Sequence, residues 1–341
     1  MTKLAEGNMR KLAVGKLDSD MLEKIVLERI QYRRPEVKIR AGIGEDCAVM
    51  DFGAYDCVVS TDPITASVKE IGKLAIHISC NDVASNGIQP VGITLAVMLP
   101  EGTTEEDVAT IMDQAAKAAE EAEVEIIGGH TEVTTAVNQP VIVSTAIGRA
   151  MSSESSDAKD MKAGDWILLT KNAGLEGTGI IATDCRESLK EILTEEELAE
   201  AASMLERVSV VKEGVIAGNI GTSGMHDVTE GGIYGAVWEM CRLSGKGALI
   251  DEDSIFVDPV TEKICKHFRI DPFRLISSGC MLIAAPEVKA EKIIEKCSME
   301  NIRVSVIGEV KPAGEGVKVV GKDGAVTDIM PPEADELYKV I

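Results

Sequence analysis

Residues 70–87, EIGKLAIHISCNDVASNG, combine the repeat of an α-helix with a carboxylate on its apolar side. Ile71, Leu74 and Ile78 recur at the spacing of one helical face, and Asp82 continues that face. An unpaired buried carboxylate is costly, so Asp82 needs a cation, a hydrogen-bond network or a raised pKa. The alternative is that Asp82 lies at a frayed, solvated helix end beside a glycine.

Three further aspartates stand where ligand groups are often found. Asp62 precedes Pro63, which favours an extended conformation, and we predict that it ends the strand DCVVSTD. Asp46 follows a glycine turn in GIGEDCAV and enters the next strand. Asp227 and Glu230, in HDVTEGG, also match an ordinary helix-capping pair. Taken singly, each of these residues is explained equally well as a turn or cap residue.

The composition limits the partners of the protein. The chain has 341 residues, of which 45% are hydrophobic and 3% aromatic, and its formal net charge is -22. Nucleic acids and anionic membranes are bound chiefly through Lys and Arg, so neither is expected as a partner. An acidic protein can still bind a polyphosphate when divalent cations lie between carboxylate and phosphate. The charge therefore favours a metal-dependent mode of nucleotide binding.

The cysteines and the apolar runs indicate the compartment. Eight cysteines are scattered without a C-x-x-C pair, which predicts buried thiols in a reducing cytosol. The N-terminal segment has no apolar core of signal-peptide length, and no apolar run reaches membrane-spanning length. We therefore expect a soluble, cytoplasmic protein.

Helical and β patterns alternate in both halves, which predicts an α+β protein of two domains rather than one doubly wound sheet. A helix over 19–32, with Ser19 as its N-cap, belongs to the first domain. The Ser- and Asp-rich stretch near residue 155 is the best linker candidate. The predicted organisation is a first domain at 1–150, a linker at 151–163, a second domain at 164–325 and a tail at 326–341.

Five motifs occur in a fixed order with helices and strands between them: GIGEDCAV, VVSTDP, ISCNDVASNGIQP, GGHTE and HDVTEGGI. In this order they resemble the aminoimidazole-ribonucleotide synthetase superfamily, which has the PurM-like fold and also contains thiamine-monophosphate kinase, selenophosphate synthetase and the hydrogenase-maturation protein HypE. The resemblance reaches to about residue 310. It implies N-terminal strands that form a β-barrel shared by a homodimer and flanked by helices, and a C-terminal α/β sandwich.

The resemblance also implies ATP-dependent phosphoryl transfer, with Mg²⁺, to an oxygen or similar acceptor. On the matching motifs, Asp46, Asp62 and Asp82 would be metal ligands. Asp227 would approach the phosphates from the second domain as a further ligand and catalytic residue. Phosphoryl transfer mostly requires charge neutralisation and positioning, so these groups can suffice without a Walker lysine.

The nucleotide side is assigned by the same resemblance. GGHTE would form a turn near the phosphates, where Gly128, Gly129 and Thr131 offer backbone and hydroxyl donors. Asn81 and Lys16 are also assigned to nucleotide binding. The histidine of GGHTE departs from the aspartate that is usual in thiamine-monophosphate kinase and HypE. The motif GLEGTGI lacks the lysine of a Walker loop, and by resemblance it contacts the second substrate.

The layout of the motifs looks most like HypE, which dehydrates a carbamoyl group carried on its own C-terminal cysteine. The last cysteine here is Cys297, inside a predicted helix, so the C-terminal cysteine of HypE is lacking and we do not expect HypE chemistry. We leave the acceptor unidentified. Two alternatives are an ATP-binding assembly partner with little turnover and a kinase similar to thiamine-monophosphate kinase. A third is a transition-metal hydrolase site of His130, Glu132, His226 and Asp227.

Overall fold

The described residues of the first half of the chain form a six-stranded sheet with three α-helices. The computed structural model describes residues 17–65, 69–151, 158–332 and 334–341. The strands are β1 (Val37–Ile39), β2 (Ala48–Asp51), β3 (Tyr55–Ile64), β4 (Pro90–Leu99), β5 (Glu125–Val133) and β6 (Val141–Met151). The helices are α1 (Ser19–Ile25), α2 (Ile71–Ser85) and α3 (Glu105–Glu121). The strand order is β1-β2-β3-β6-β4-β5, with β4 and β5 parallel and the other neighbours antiparallel.

The second half forms a seven-stranded sheet with seven helices among the described residues. Its strands are β7 (Trp166–Thr170), β8 (Gly224–Asp227), β9 (Gly247–Asp251), β10 (Met281–Ala285), β11 (Val304–Lys311), β12 (Val317–Val320) and β13 (Val326–Asp328). Its helices are α4 (Leu175–Asp184), α5 (Arg186–Leu189), α6 (Glu195–Ser203), α7 (Val211–Ile220), α8 (Gly232–Ser244), α9 (Pro259–Phe268) and α10 (Glu287–Met299). The strand order is β13-β12-β9-β11-β7-β10-β8.

Both sheets are mixed and open, so the α+β prediction is confirmed at the level of two domains with mixed sheets. The first sheet ends at β1 on one side and β5 on the other, and the described strands of one chain do not close into a barrel. Within the described residues, no helix has both the length and the apolar character that a bilayer crossing requires.

Helix α2 is the centre of the first half. All fifteen of its residues are buried, and it packs against α3, β3 and β6 as well as α7 and β8 of the second half. Asp82, in the last turn of the helix, is 8% exposed, so the predicted buried carboxylate is confirmed and the solvated alternative is wrong. Helix α3 begins with a capping box formed by Thr104 and Asp107.

The two halves meet backbone to backbone next to α2. Gly87 follows α2 with a φ of 78°, and a Cβ on Gly218 of α7 would lie 2.5 Å from the Cα of Gly87. The Nδ2 of Asn81 donates to the carbonyl of Val208 at 2.8 Å, and its Oδ1 accepts from the amide of Val210 at 2.8 Å. This contact fixes the end of α2 against the second half.

The N-terminal helix differs from the prediction. Helix α1 ends at Ile25 and a short 3-10 turn, Leu27–Arg29, follows, so a single helix over 19–32 is wrong. The N-cap is Asp18, whose carboxylate accepts from the amide of Met21 at 2.9 Å, and not Ser19. None of the residues of α1 is buried. Because helices in proteins are stabilised mainly by packing of an apolar face, the unpacked helix stops early.

The segment assigned as a tail packs onto the second half. Strand β13 pairs with β12, and the chain then returns to the loops that precede α8 and β10. The buried carboxylate of Asp335 accepts hydrogen bonds from the amides of Gly231, Ile276 and Leu337 at 2.7, 3.2 and 2.8 Å. This arrangement brings Tyr338 to the wall of the main cavity.

The cysteines behave as predicted from their apolar surroundings. All eight are free thiols, of which Cys57 and Cys185 are half-buried and the other six are buried. Cys297 lies in α10, where burial raises the pKa of its thiol to about 12.

Candidate active site

A cavity of about 1010 Å³ is lined by residues of both halves. Its walls are strongly acidic, and the residues that the structure describes there include no lysine or arginine. The acidic lining residues are Glu45, Asp46, Asp62, Asp82, Glu176, Asp227, Glu230 and Glu239. A polyanionic ligand would therefore be repelled from this cavity unless cations accompany it.

The structure brings all four aspartates singled out in the sequence to this cavity. Asp46 precedes β2, Asp82 lies in the last turn of α2, and Asp227 is the last residue of β8. Asp62 lies within β3 and pairs with Ser144 of β6, so the prediction that it ends the strand is wrong. The strand continues through Pro63, which pairs with Val143 of β6, and ends at Ile64.

The surroundings of Asp82 raise its affinity for protons. Burial, followed by the charges of Asp227 and Asp62, raises the pKa of Asp82 well above its usual value. The hydroxyl of Ser60 donates to Oδ2 of Asp82 at 2.5 Å. A cluster of like charges held this close is a site that gains free energy from a bound cation.

His226 is the positive group of the cluster. Its Nδ1 lies 2.8 Å from Oδ1 of Asp46, and its Nε2 lies 3.0 Å from Oε2 of Glu239. Burial alone would lower the pKa of His226, but the charges and hydrogen bonds of Asp46 and Glu239 outweigh burial and raise it well above 6.5. His226 is therefore an imidazolium held between two carboxylates, although its ring, Asp46 and Asp227 lie close enough together for metal binding.

The predicted transition-metal site of four residues does not form. His130 and Glu132 lie on β5, where both are exposed and the His130 Nε2 is 3.5 Å from the Glu132 Oε2. Neither lines the cavity that contains His226 and Asp227. In addition, both ring nitrogens of His226 face carboxylates, so no lone pair is left for a metal.

The GGHTE motif is a strand and not a turn. Gly128, Gly129 and Thr131 lie within β5, and they do not line the cavity of their own chain. Gly129 has a φ of 148°, and a Cβ at this position would lie 1.9 Å from the carbonyl oxygen of Leu95 on β4. The predicted turn is wrong because the glycine here allows β4 and β5 to approach closely.

Asn81 and Lys16 are the other two residues that were assigned to nucleotide binding. Both polar ends of the Asn81 side chain are bonded to the backbone of the second half, and Asn81 is fully buried outside the cavity lining. The assignment of Asn81 to nucleotide binding does not fit this placement. Lys16 lies outside the described residues.

Sequence reasoning did not single out several polar lining residues, among them Glu176, Glu239, Ser278 and Tyr338. Glu176 had a signal, since it lies between the glycines of GLEGTGI, which begins α4. The sequences around the other three contain no comparable pattern, because these residues reach the cavity only through tertiary packing.

The sequence matches two family models in tandem. Residues 44–150 match the AIR synthase related protein, N-terminal domain, and residues 162–321 match the AIR synthase related protein, C-terminal domain. The chain belongs to the AIR synthase related family. The predicted superfamily is thereby confirmed, and the four aspartates of the cavity fall within the two matched AIR synthase related regions.

Relatives of this AIR synthase related chain include proteins of hydrogenase maturation. It is 27% identical over 319 residues to a putative hydrogenase expression/formation protein of Methanocaldococcus jannaschii, covering 91% of this chain and 88% of that one. It is 26% identical over 313 residues to the carbamoyl dehydratase HypE of Rhodobacter capsulatus, covering 90% and 86%. A crystal structure of HypE in complex with ATP superposes with a TM-score of 0.73 at 22% identity, covering 94% and 96%, which shows a shared fold.

Proposed function

We propose that the protein is a cytoplasmic, ATP- and Mg²⁺-dependent enzyme that transfers a phosphoryl group to an oxygen or similar atom of an acceptor. The observation that carries the proposal is the convergence of Asp46, Asp62, Asp82 and Asp227 on one cavity without a lysine or arginine among its described lining residues. Support also comes from the relative named carbamoyl dehydratase HypE and from the ATP complex of a HypE with the same fold.

The donor set fits Mg²⁺. The groups are carboxylate oxygens, which a hard divalent cation prefers, and the raised pKa of Asp82 reflects its burial beside the negative charges of Asp227 and Asp62. Asp46, Asp62, Asp82 and Asp227 would hold the ion. When bound, Mg²⁺ supplies neutralisation and polarisation of the phosphates.

The protein groups then have separate tasks. Asp82 and Asp62 present oxygens from the first half, and Asp227 presents one from the second half. His226 keeps the Asp46 carboxylate oriented, because Asp46 is hydrogen-bonded to the imidazolium while Glu239 holds the other side of the ring. Positioning and charge neutralisation of this kind account for most of the catalysis of phosphoryl transfer.

The acceptor is a small molecule or a group borne by a protein. A nucleotide-binding assembly partner with little turnover is the second candidate function, and the residues of the cavity serve it equally well. Release of ADP from ATP and Mg²⁺ without an added protein favours the enzyme, whereas ATP-dependent complex formation without ADP release favours the assembly partner.

We predict that ATP binding requires a divalent cation. Calorimetry with ATP and Mg²⁺ should show binding that becomes undetectable in EDTA, because the acidic walls alone repel the triphosphate. Restoring Mg²⁺ in excess over EDTA is the control and should recover the binding. Equal ATP affinity with and without EDTA would contradict the metal-dependent site.

A homodimer through the first domain is part of the proposal. Eight of the nine residues of β5 are exposed, and this edge strand carries the apolar side chains of Ile127 and Val133, which are 54% and 57% exposed. A long exposed edge strand is a template for pairing with another chain. The assignment of Gly128, Gly129 and Thr131 to the phosphates is kept only for such a dimer, since they lie outside the cavity of their own chain.

Light scattering at micromolar concentration tests this association. We expect a dimer for the wild-type protein and a monomer for Ile127→Lys, because a charge on β5 opposes edge pairing. Val288→Lys is the matched control, since Val288 is also an exposed apolar residue, 65% exposed, but lies on α10. A wild-type monomer, or dissociation by both variants alike, would refute dimerisation through β5.

A further inference from the structure

Glu176 is a buried carboxylate that the metal cluster does not use. It is the second residue of α4, its side chain is 5% exposed, and it lines the cavity. Its Oε2 has no hydrogen-bond partner among the described residues. Leaving a buried acceptor without a donor destabilises a fold, so such a group calls for an explanation.

The surroundings of Glu176 differ from those of the four aspartates. Burial raises the pKa of Glu176 to about 7; a hydrogen bond from Ser278 opposes this shift, and the charges of Asp335 and Glu230 add to it. Tyr338 is a further neighbour, with its hydroxyl donating to Oε1 of Glu230 at 3.0 Å. One wall of the cavity, which we call the acceptor wall, consists of Glu176, Glu230, Ser278 and Tyr338. Asp335 does not line the cavity, but its charge acts on Glu176.

The acceptor wall is held rigidly. The amide of Gly174 donates to the hydroxyl of Ser277 at 2.7 Å, and the amide of Gly177 donates to the carbonyl of Ile276 at 3.0 Å. The carboxylate of Asp335 accepts from the amide of Ile276 in turn. These hydrogen bonds fix the backbone of the first turn of α4. A small shift of this backbone therefore does not bring a hydrogen-bond donor to the Glu176 carboxylate.

We infer that Glu176 is a catalytic residue on the acceptor side: its Oε2 accepts a hydrogen bond from a hydroxyl group of the acceptor and takes that proton during transfer. The inference rests on the proposed phosphoryl transfer. The acceptor oxygen forms a bond to the γ-phosphorus, and the bond from that phosphorus to the β,γ-bridging oxygen breaks. The electron pair of the broken bond leaves with ADP, and the proton of the acceptor hydroxyl moves to Glu176.

The charge of the acceptor wall restricts the acceptor. Glu176 and Glu230 are both acidic, Asp335 adds a charge near Glu176, and no described lysine or arginine lines the cavity. An acceptor that carried a carboxylate or phosphate next to its hydroxyl would be repelled here. The chemistry that fits is an uncharged or cationic group with a hydrogen-bond donor that reaches Oε2.

The test compares Glu176→Gln with Glu196→Gln. Glu196 is the second residue of α6, the same position in its helix, but it is exposed. Calorimetry measures the affinity for ATP and Mg²⁺, and ADP release is followed from pH 5.5 to 8.5 with water alone and with methanol as the probe acceptor. The wild-type rate should rise with pH and level off above an inflection near 7. Glu176→Gln should lower ADP release about 100-fold or more and remove the inflection, with unchanged affinity for ATP and Mg²⁺.

Each other outcome overturns the inference in a distinct way. Wild-type rates and pH dependence in Glu176→Gln would make the residue structural. Loss of affinity for ATP and Mg²⁺ in that variant would place Glu176 on the nucleotide side. Absence of ADP release from the wild-type protein with both probes would refute phosphoryl transfer itself, and the role of Glu176 with it. Glu196→Gln should match the wild-type protein in every measurement.

Discussion

Asp82→Asn is expected to abolish Mg²⁺-dependent ATP binding while leaving the metal-free protein at least as stable as the wild type. Substituting a residue that hydrogen-bonds to a metal ligand lowers metal affinity about 10- to 100-fold, so substituting the ligand itself should lower it more than about 100-fold. The stability result follows from the raised pKa of Asp82. A group whose pKa is raised by folding contributes to stability at pH values below its pKa in the unfolded chain. That contribution is lost as the pH rises through its pKa in the folded protein.

An ionised Asp82 carboxylate is destabilised by its burial and by the charges of Asp62 and Asp227. The neutral amide of asparagine carries no charge, so the variant avoids this repulsion. Melting temperature in EDTA and calorimetric ATP affinity with Mg²⁺, measured on the same preparation, report the two effects. Asp56→Asn is the matched control, since Asp56 is also a buried aspartate of the first half but is paired with the Lys38 ammonium at 2.7 Å.

The control should show the opposite pattern. Removing one partner of an ion pair with a buried member leaves the other without compensation, so Asp56→Asn should lower the melting temperature. Its ATP affinity should stay unchanged because Asp56 does not line the cavity. If Asp82→Asn behaved like Asp56→Asn, with a lower melting temperature and normal ATP affinity, Asp82 would be a structural residue and not a metal ligand.

Glu176→Gln is expected to stabilise the protein at pH 8 and to have little effect at pH 5. The folded-state pKa of Glu176 is about 7, above its usual value of 4.5, so the folded protein binds this proton more tightly than the unfolded chain does. The stabilising contribution of the group is therefore full below about pH 4 and is lost as pH rises through about 7. A glutamine does not titrate and avoids that loss.

The size of the effect follows from the shift of the pKa. At about 1.4 kcal/mol per pKa unit, the gain in the free energy of unfolding at pH 8 is on the order of 3 kcal/mol. Urea unfolding at pH 5 and pH 8 measures it, and Glu196→Gln should show no gain at either pH. An equal change in stability at both pH values would show that Glu176 does not titrate as inferred.

The parts of the site that could be predicted are those with a local pattern. Asp82 was found because a helical repeat of apolar residues ends in a carboxylate, and the repeat is visible in eighteen consecutive residues. The pairing of β2 with β3 and the capping box of α3 are local in the same sense. In each case the residues that determine the structure are neighbours in the sequence.

The parts that failed depend on contacts between distant residues. The glycines of GGHTE were assigned to a turn, but the carbonyl of Leu95 on another strand decides the conformation of Gly129. Asn81 lies beside Asp82 in the sequence, yet its hydrogen bonds run to Val208 and Val210. Hydrogen-bond partners more than a hundred residues away cannot be recognised from a local sequence pattern. The pKa of Glu176 likewise depends on distant residues, Ser278 and Asp335.

The glycine contact between α2 and α7 has a consequence for how the metal site is made. Asp82 belongs to α2, and α2 also packs against β8, which ends in Asp227. Because Gly87 and Gly218 are in backbone contact with no side chain between them, α2 and α7 cannot move closer together when a ligand binds. The aspartates of the proposed metal site are thus brought together when the protein folds, and a cation would meet carboxylates already in place.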